Sequence, residues 1–313
     1  MSEDARSEDA VAGVFCVDDL LPDDARHWQR TARRLAREVL APTIEDDFDA
    51  QRLRAEHIPA LGEAGLLGMH LHGYGCAGAS ATAYGAACLE IESVDSGWRT
   101  FVSVQGSLTM TAIAQYGSEQ HKQRWLPELA AGRAVGCFAL TEPAGGSDPA
   151  AMTTFARREG TDWVLRGRKR WIGLASLARI AVVWARTDDG VRGFLVPTDA
   201  RGFTARPIPG KRAMRTSIQC DIDLDDVHLP SDAVLPDAHG LRAPFTAWTR
   251  PDTASPGVRW ARPVPAWRSP SLAHAPDTSS VRRSVRASSS RRSLPTCSSS
   301  TRRARCWRCT WAG

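Results

Sequence analysis

No apolar run in this 313-residue chain approaches the roughly 20 residues that a membrane-crossing helix needs, so no membrane span is expected. The first ten residues, MSEDARSEDA, are acidic and have no apolar centre, which excludes a secretory signal peptide there. The eight cysteines (16, 76, 88, 137, 220, 297, 306, 309) follow no regular framework. In the cytoplasmic setting that these absences suggest, most of them are free thiols. There is no internal repeat, and no residue set is assigned to a metal.

Charge is present but uneven. Residues 1–245 hold 27 Lys and Arg against 33 Asp and Glu. Residues 246–313 hold 13 Arg, no Lys, and only Asp252 and Asp277 as acids. Such asymmetry normally suggests a nucleic-acid or membrane arm. The same tail lacks Phe, Ile, Tyr, Met, Glu and Gln, yet carries five Trp (248, 260, 267, 307, 311). With so few aliphatics it cannot bury enough apolar surface to offset its ordering entropy, and a disordered tail is expected.

What is there falls into two textures after a polar leader at 1–17. From Asp24 to Leu40 apolar and small residues recur at helical spacing (Ala32, Leu35, Ala36, Val39, Leu40), and Pro42 is expected to stop that helix. Further helices are predicted over 58–66, 81–92, 98–115 and 118–131, with a glycine-rich loop at 73–78. Near Cys137 the pattern changes to short runs rich in Val, Ile, Trp and Thr: 162–165, 169–172, 180–185, 193–196 and 218–227. The predicted fold class is α+β: an all-α domain over 18–136, then a small β-sandwich or barrel over 137–245.

The densest motif is Cys137-Phe-Ala-Leu-Thr-Glu-Pro-Ala-Gly-Gly-Ser-Asp148. A strand edge over Phe138, Leu140 and Thr141 can offer backbone N–H groups and a hydroxyl to a polar ring edge. The Gly145-Gly146-Ser147 turn lets backbone approach a phosphate, with Ser147 as a donor. The bland alternative is a plain strand and turn. About 20 residues on stands Gly167-Arg-Lys-Arg-Trp171-Ile172. Together these segments resemble the signature of acyl-CoA dehydrogenases. So do Tyr116-Gly-Ser-Glu-Gln120, Trp125-Leu-Pro-Glu-Leu129 and Asp225-Asp226-Val227-His228-Leu229-Pro230. The resemblance covers roughly residues 18–245.

The resemblance implies an FAD site in which Trp171 packs on the isoalloxazine with Ile172 beside it. Phe138, Leu140, Thr141, Gly146 and Ser147 would be its other protein contacts. Gly173-Leu174 stands where the family usually has Thr-Asn, so one side-chain hydrogen bond to the flavin is missing. The segment Ser96-Gly-Trp-Arg99-Thr-Phe-Val-Ser103-Val-Gln-Gly-Ser107 is similar to that of glutaryl-CoA dehydrogenases, whose arginine binds the distal carboxylate of the substrate. Arg99 suits that task because its planar fork holds a carboxylate bidentately, and Ser103 would share it. The alternative for Arg99 is an ion pair with a helix carboxylate such as Asp95.

The family resemblance also implies an acyl-CoA substrate, an electron-transfer flavoprotein-type acceptor and a homotetramer. Its third part, a four-helix C-terminal domain, would carry the glutamate base, so no catalytic residue is assigned in this chain; Glu142 is read as structural.

The match stops at Gly240-Leu-Arg-Ala-Pro-Phe245. Reading the third base of each codon with the first two of the next, the junctions from Thr246/Ala247 to Arg262/Pro263 permit CLDQARYGIAWGALGAA. That string resembles the family's first C-terminal helix. Trp248/Thr249 can only give Asp, and Trp260/Ala261 only Gly. The expectation is therefore that 246–313 is out of frame after loss of one base at the Thr246 codon, leaving an inactive chain. On that reading Cys306-Trp-Arg-Cys309 is no redox motif, and no specific nucleic-acid partner is expected for the Arg clusters. Two other readings stay open: a non-enzymatic remnant, and a binding protein with a basic Arg/Ser-rich tail.

Overall fold

Helix α1 (Asp23–Leu35) shows how the N-terminal half is built. Asp23 and Asp24 sit in its first turn and Arg33 and Arg34 in its last, complementing the helix dipole. Ala25, Gln29, Ala32 and Leu35 recur at helical spacing and are buried. Pro42 does not stop the chain's winding, as the sequence suggested. The helix widens into a π-helical turn over Ala36–Leu40, then tightens into a 3₁₀ turn over Ala41–Thr43 that contains the proline. Helix α2 (Ile44–Asp49) follows. The computed structural model describes residues 20–249, all within one compact unit, Met1–Arg262. The leader and residues 250–313 lie outside the described residues.

Helix α3 (Ile58–Glu63) leads into a short hairpin of β1 (His72–Gly73) and β2 (Cys76–Ala77). Helix α4 (Ala81–Glu92) is capped by Ser80, whose hydroxyl accepts from the Ala83 amide at 3.1 Å. It lies along α1, joined by the ion pair of Arg33 with Glu90 at 2.8 Å. A long winding then runs from residue 96 to 116: α5 (Ser96–Val102), a π-helical segment (Ser103–Met110) and α6 (Thr111–Tyr116). Helix α7 (Glu119–Ala130) closes this half behind a capping box of Ser118 and His121.

The second half is a seven-stranded sheet: β3 (Gly136–Ala139), β4 (Phe155–Glu159), β5 (Asp162–Gly173), β6 (Ile180–Thr187), β7 (Gly190–Pro197), β8 (Phe203–Pro207) and β9 (Gln219–Leu229). Along one edge of β6, β3 pairs with residues 180–183 and β4 meets Arg186, both in parallel; β7 lines the other edge antiparallel. On its other side β4 pairs with β5, followed by β9 and β8. A helical domain followed by a β-sheet domain is the architecture expected from the sequence. The predicted runs 162–165 and 169–172 are one strand, β5, broken by two irregularities in its pairing with β9.

The two halves meet through a buried amide. Gln105, on the π-helical segment, donates to the carbonyls of Leu129 and Ala134 at 3.0 and 2.9 Å and accepts from the Gly136 amide at 2.9 Å. Each of its polar atoms is thereby paired where an unpaired one would be costly. It ties the long helix, the loop after α7 and the first strand together.

The last described element is helix α8 (Arg242–Thr249). Residues 246–249 are thus helical, against the expectation of an irregular tail from 246. Pro244 occupies a first-turn position where its missing N–H costs nothing. Ala243 and Ala247, four apart, bury against the same core as Met110 and Leu126.

Candidate functional site

Strand β3 ends where the densest sequence motif begins its turn. Phe138 and Leu140 are buried, Phe138 against Trp184 with ring centroids 5.7 Å apart. The Thr141 carbonyl accepts from the Arg170 amide at 2.9 Å, so the two motifs the sequence singled out are joined by a backbone hydrogen bond. Between Lys169 and Ile172 the pairing of β5 with β9 slips. That bulge carries Arg170 and Trp171 outward. Trp171 has φ of 62° and stays 53 % exposed, with the Arg170 guanidinium 5.2 Å from its ring centroid. A β-bulge re-aims a side chain in this way, and a large ring left half in water is a surface suited to a flat partner. Ile172 returns inward and is buried. Leu174 is buried too, its amide bonded to the Ile218 carbonyl at 2.7 Å, so it offers only packing where a polar side chain was expected.

The glycine turn closes on itself. The Gly146 amide donates to the Glu142 carbonyl at 3.0 Å and the Asp148 amide to the Gly145 carbonyl at 2.9 Å. A Cβ on Gly145 would stand 2.9 Å from the Asp148 carbonyl oxygen, whereas one on Gly146 meets nothing within 4 Å. Gly146 has φ of 53° and, with Ser147, is exposed. The turn therefore needs glycine at 145 for space and at 146 for its backbone, and it presents an open backbone edge beside a hydroxyl.

Beneath both segments lies an ion pair absent from the sequence-based site. Lys169 and Glu142 are 0 % and 3 % exposed, with Nζ 2.8 Å from Oε1. Lys169 also donates to the Leu140 carbonyl at 3.1 Å. Glu142 accepts from the Thr153 amide and hydroxyl at 2.6 and 2.7 Å and from the Thr154 amide at 3.0 Å. Burial raises the Glu142 carboxyl, but the Lys169 charge and these donors outweigh it and hold it at about 2. Burial, only partly opposed by Glu142, pushes Lys169 down to about 8. The signal was in the sequence: Arg166, Arg168 and Arg170 alternate outward along β5, which turns Lys169 to the interior face.

Arg99 and Ser103 stand one turn apart on the long helix. Arg99 pairs with a helix carboxylate, Glu92, Nε to Oε2 at 2.6 Å, the kind of ion pair left open as its alternative. Asp95 is instead the N-cap of α5, accepting from the Trp98 amide at 2.9 Å and from the Thr216 hydroxyl at 2.5 Å. Burial raises the Glu92 carboxyl, yet hydrogen bonds from Ser96 and Arg99 hold it below its ordinary value. Ser103 is buried and meets the Tyr84 hydroxyl at 3.1 Å; Ser107 meets the same hydroxyl at 2.9 Å. Glu92 and Tyr84, which contact Arg99 and Ser103, were not singled out because no local motif marks a contact made across two helices. The long helix also reaches the sheet: a Cβ on Gly173, two residues past Trp171, would lie 3.5 Å from Val104. Among the described residues no cluster of His, Cys, Asp and Glu could hold a metal ion, and no helix is long and apolar enough to cross a membrane.

A helical domain feeding a β-sheet with a bulged tryptophan and a glycine turn at one strand end is the arrangement of a known class. Residues 22–133 match the acyl-CoA dehydrogenase N-terminal domain and residues 137–227 the acyl-CoA dehydrogenase middle domain. The chain belongs to the acyl-CoA dehydrogenase family. It is 36 % identical over 222 residues to the human mitochondrial short-chain specific acyl-CoA dehydrogenase, covering 69 % of this chain and 54 % of that protein. The chain thus spans about half the length of the curated relatives it matches.

Among solved structures, a glutaryl-CoA dehydrogenase from Mycobacterium smegmatis in complex with FADH2 is 53 % identical, with a TM-score of 0.73 over 75 % of this chain and 61 % of that one. The butyryl-CoA dehydrogenase of Megasphaera elsdenii is 27 % identical, with a TM-score of 0.69 over 72 % and 62 % of the two chains.

Proposed function

We propose that this chain carries the N-terminal and middle parts of an FAD-dependent dehydrogenase acting on glutaryl-CoA. The observation that carries the substrate is Arg99 on the same helical face as Ser103, in a chain 53 % identical to a glutaryl-CoA dehydrogenase. An arginine fork and a hydroxyl one turn apart suit a carboxylate at the far end of an acyl chain. An uncharged acyl tail has no use for them. Glu92 keeps the Arg99 guanidinium paired until a substrate carboxylate competes for it.

The β domain fits FAD on its own geometry. The half-exposed Trp171 ring is shaped to pack on a flat isoalloxazine, with Thr141 and the end of β3 beside it. The exposed Ser147 hydroxyl, beside the open space above Gly146, suits a phosphate. When bound, FAD supplies the two-electron acceptor for α,β-dehydrogenation of an acyl thioester. The chain's own groups bind and orient; no described residue is assigned the base that takes the α-proton. An electron-transfer flavoprotein-type acceptor, a homotetrameric assembly and decarboxylation to crotonyl-CoA belong to the whole enzyme on this reading.

The codon pattern after Thr246 supports an out-of-frame segment, so FAD binding by the 313-residue chain rests on the middle domain and is weak. The purified protein is then colourless or substoichiometric in FAD, which its visible spectrum checks. Substrate choice is tested in the protein with one base restored at the Thr246 codon. There Arg99→Ala leaves a desolvated carboxylate without a partner, at ~3–5 kcal/mol in transition-state binding for glutaryl-CoA. Butyryl-CoA is oxidised with a smaller loss. Equal losses on the two substrates would make Arg99 structural and remove the glutaryl assignment.

A further inference from the structure

Resting on the FAD reading above, we propose that the buried Glu142–Lys169 pair is the positioning element of the cofactor site, setting where the Thr141 amide, the Trp171 ring and the glycine turn stand. All three segments are tied to it directly or within two residues. Lys169 takes the Leu140 carbonyl at 3.1 Å. In a trans peptide the carbonyl of one residue and the amide of the next point to opposite sides. Fixing the Leu140 oxygen toward the buried ammonium therefore aims the Thr141 N–H away from it. The Thr141 carbonyl is held in turn by the Arg170 amide at 2.9 Å.

Lys169 is also the last residue in register before the bulge, and Ile172, paired with Cys220, is the first after it. Trp171, in the left-handed region, is strung between these two anchors, so the ammonium fixes one end of the bulge that presents the ring. Glu142 does the corresponding work for the turn. Its carboxylate gathers Thr153 and Thr154 while its carbonyl accepts from the Gly146 amide at 3.0 Å. The loop from 143 to 152, which bears Gly145, Gly146 and Ser147, is thus closed at its base by one side chain.

Packing alone would not require charge here. A buried ion pair replaced by side chains of similar volume often leaves stability unchanged or improved. What such a replacement cannot do is turn the Leu140 peptide, and that separates positioning from mere cohesion. The double variant Glu142→Gln/Lys169→Met keeps volume at both places and one acceptor oxygen for the Thr153 donors.

The test titrates FAD into the 313-residue chain, this double variant and Trp171→Leu, following flavin absorbance, flavin fluorescence and thermal unfolding. Amide exchange is read in parallel at Thr141, Arg170 and Trp171. The expected result is a double variant that melts within a few degrees of the parent, binds FAD at least tenfold more weakly and shifts the visible bands of whatever flavin it holds. Parent-like affinity and bands in a stably folded double variant overturn the proposal. If Trp171→Leu binds as the parent does, the cofactor reading fails instead; if the parent's weak binding lies below what the titration reads, as an out-of-frame tail allows, the titration is silent. Amide exchange then decides: tenfold faster exchange at Thr141 and Arg170 with α4 unchanged sustains the positioning role, and unchanged exchange at those amides overturns it.

Discussion

The two candidate regions solve opposite problems. On the β side the groups facing outward are held by backbone: Trp171 by a bulge, Thr141 by the Arg170 amide, Gly146 by a closed turn. The Trp171 and Thr141 side chains are left for a partner, and the polar pair proposed to hold them is buried beneath, in Glu142 and Lys169. On the α side the candidate binding groups are each tied to a neighbouring side chain. Arg99 is paired with Glu92, and Ser103 shares the Tyr84 hydroxyl with Ser107. A preformed backbone site takes its ligand with little rearrangement. A side-chain site must exchange internal partners for substrate, which makes it selective for a ligand charged enough to compete.

The sharpest break in this comparison is at its buried support. Lys169→Ala removes one partner and leaves Glu142 charged in the interior, so it destabilises the chain by ~3–5 kcal/mol in denaturant unfolding. The same pair gives a pH signature. The folded pKa of Glu142 is depressed to about 2, so its contribution is complete above the unfolded carboxyl value and is lost as pH falls toward 2. The difference in melting temperature between the parent and Glu142→Gln is therefore largest near pH 6 and shrinks through the range from about 4.5 to about 2. A difference independent of pH would place the carboxylate's contribution elsewhere.

How much of this was readable beforehand follows from the range of each signal. Helix α4 was placed at its observed bounds because the stretch is contiguous and rich in small residues. The two segments proposed to contact FAD were singled out because each is contiguous, and the fold joins them through the Arg170 amide and the Thr141 carbonyl. Strands β4 and β8 were not predicted: Phe155–Glu159 and Phe203–Pro207 are short, and their exposed residues erase the alternation that marks a strand. Arg99 was read correctly as helical, and the helix carboxylate that pairs with it is Glu92 rather than the example offered, Asp95. Asp95 is nearer in sequence, yet its carboxylate caps α5, and Glu92 near the end of α4 faces the guanidinium instead. The Glu142–Lys169 pair joins residues 27 apart across two strands, which only the fold brings together.

The α side is probed by Tyr84→Phe. It removes the hydroxyl shared by Ser103 and Ser107 and costs ~1–3 kcal/mol of stability, because two buried hydroxyls lose a partner. In the frame-restored enzyme it also raises KM for glutaryl-CoA more than for butyryl-CoA, since Ser103 loses its orientation. Equal shifts for both would detach Ser103 from the carboxylate.

The smallest effect on folding is expected at the ring itself. Trp171→Ala, on a residue half in water, shifts stability by no more than ~0.5 kcal/mol. It still weakens FAD binding by about tenfold through lost ring packing. A large loss of stability would mean that the bulge depends on the ring it displays.

The most direct test of the account sets the 313-residue chain beside the protein with one base restored at the Thr246 codon. Both are assayed with glutaryl-CoA and butyryl-CoA and an artificial electron acceptor. The account predicts turnover only in the restored protein, with glutaryl-CoA preferred, because without a positioned base the α-proton is lost ~10²–10⁴-fold more slowly. Turnover of acyl-CoA by the 313-residue chain at a comparable rate would contradict it and place the base within the chain as it stands.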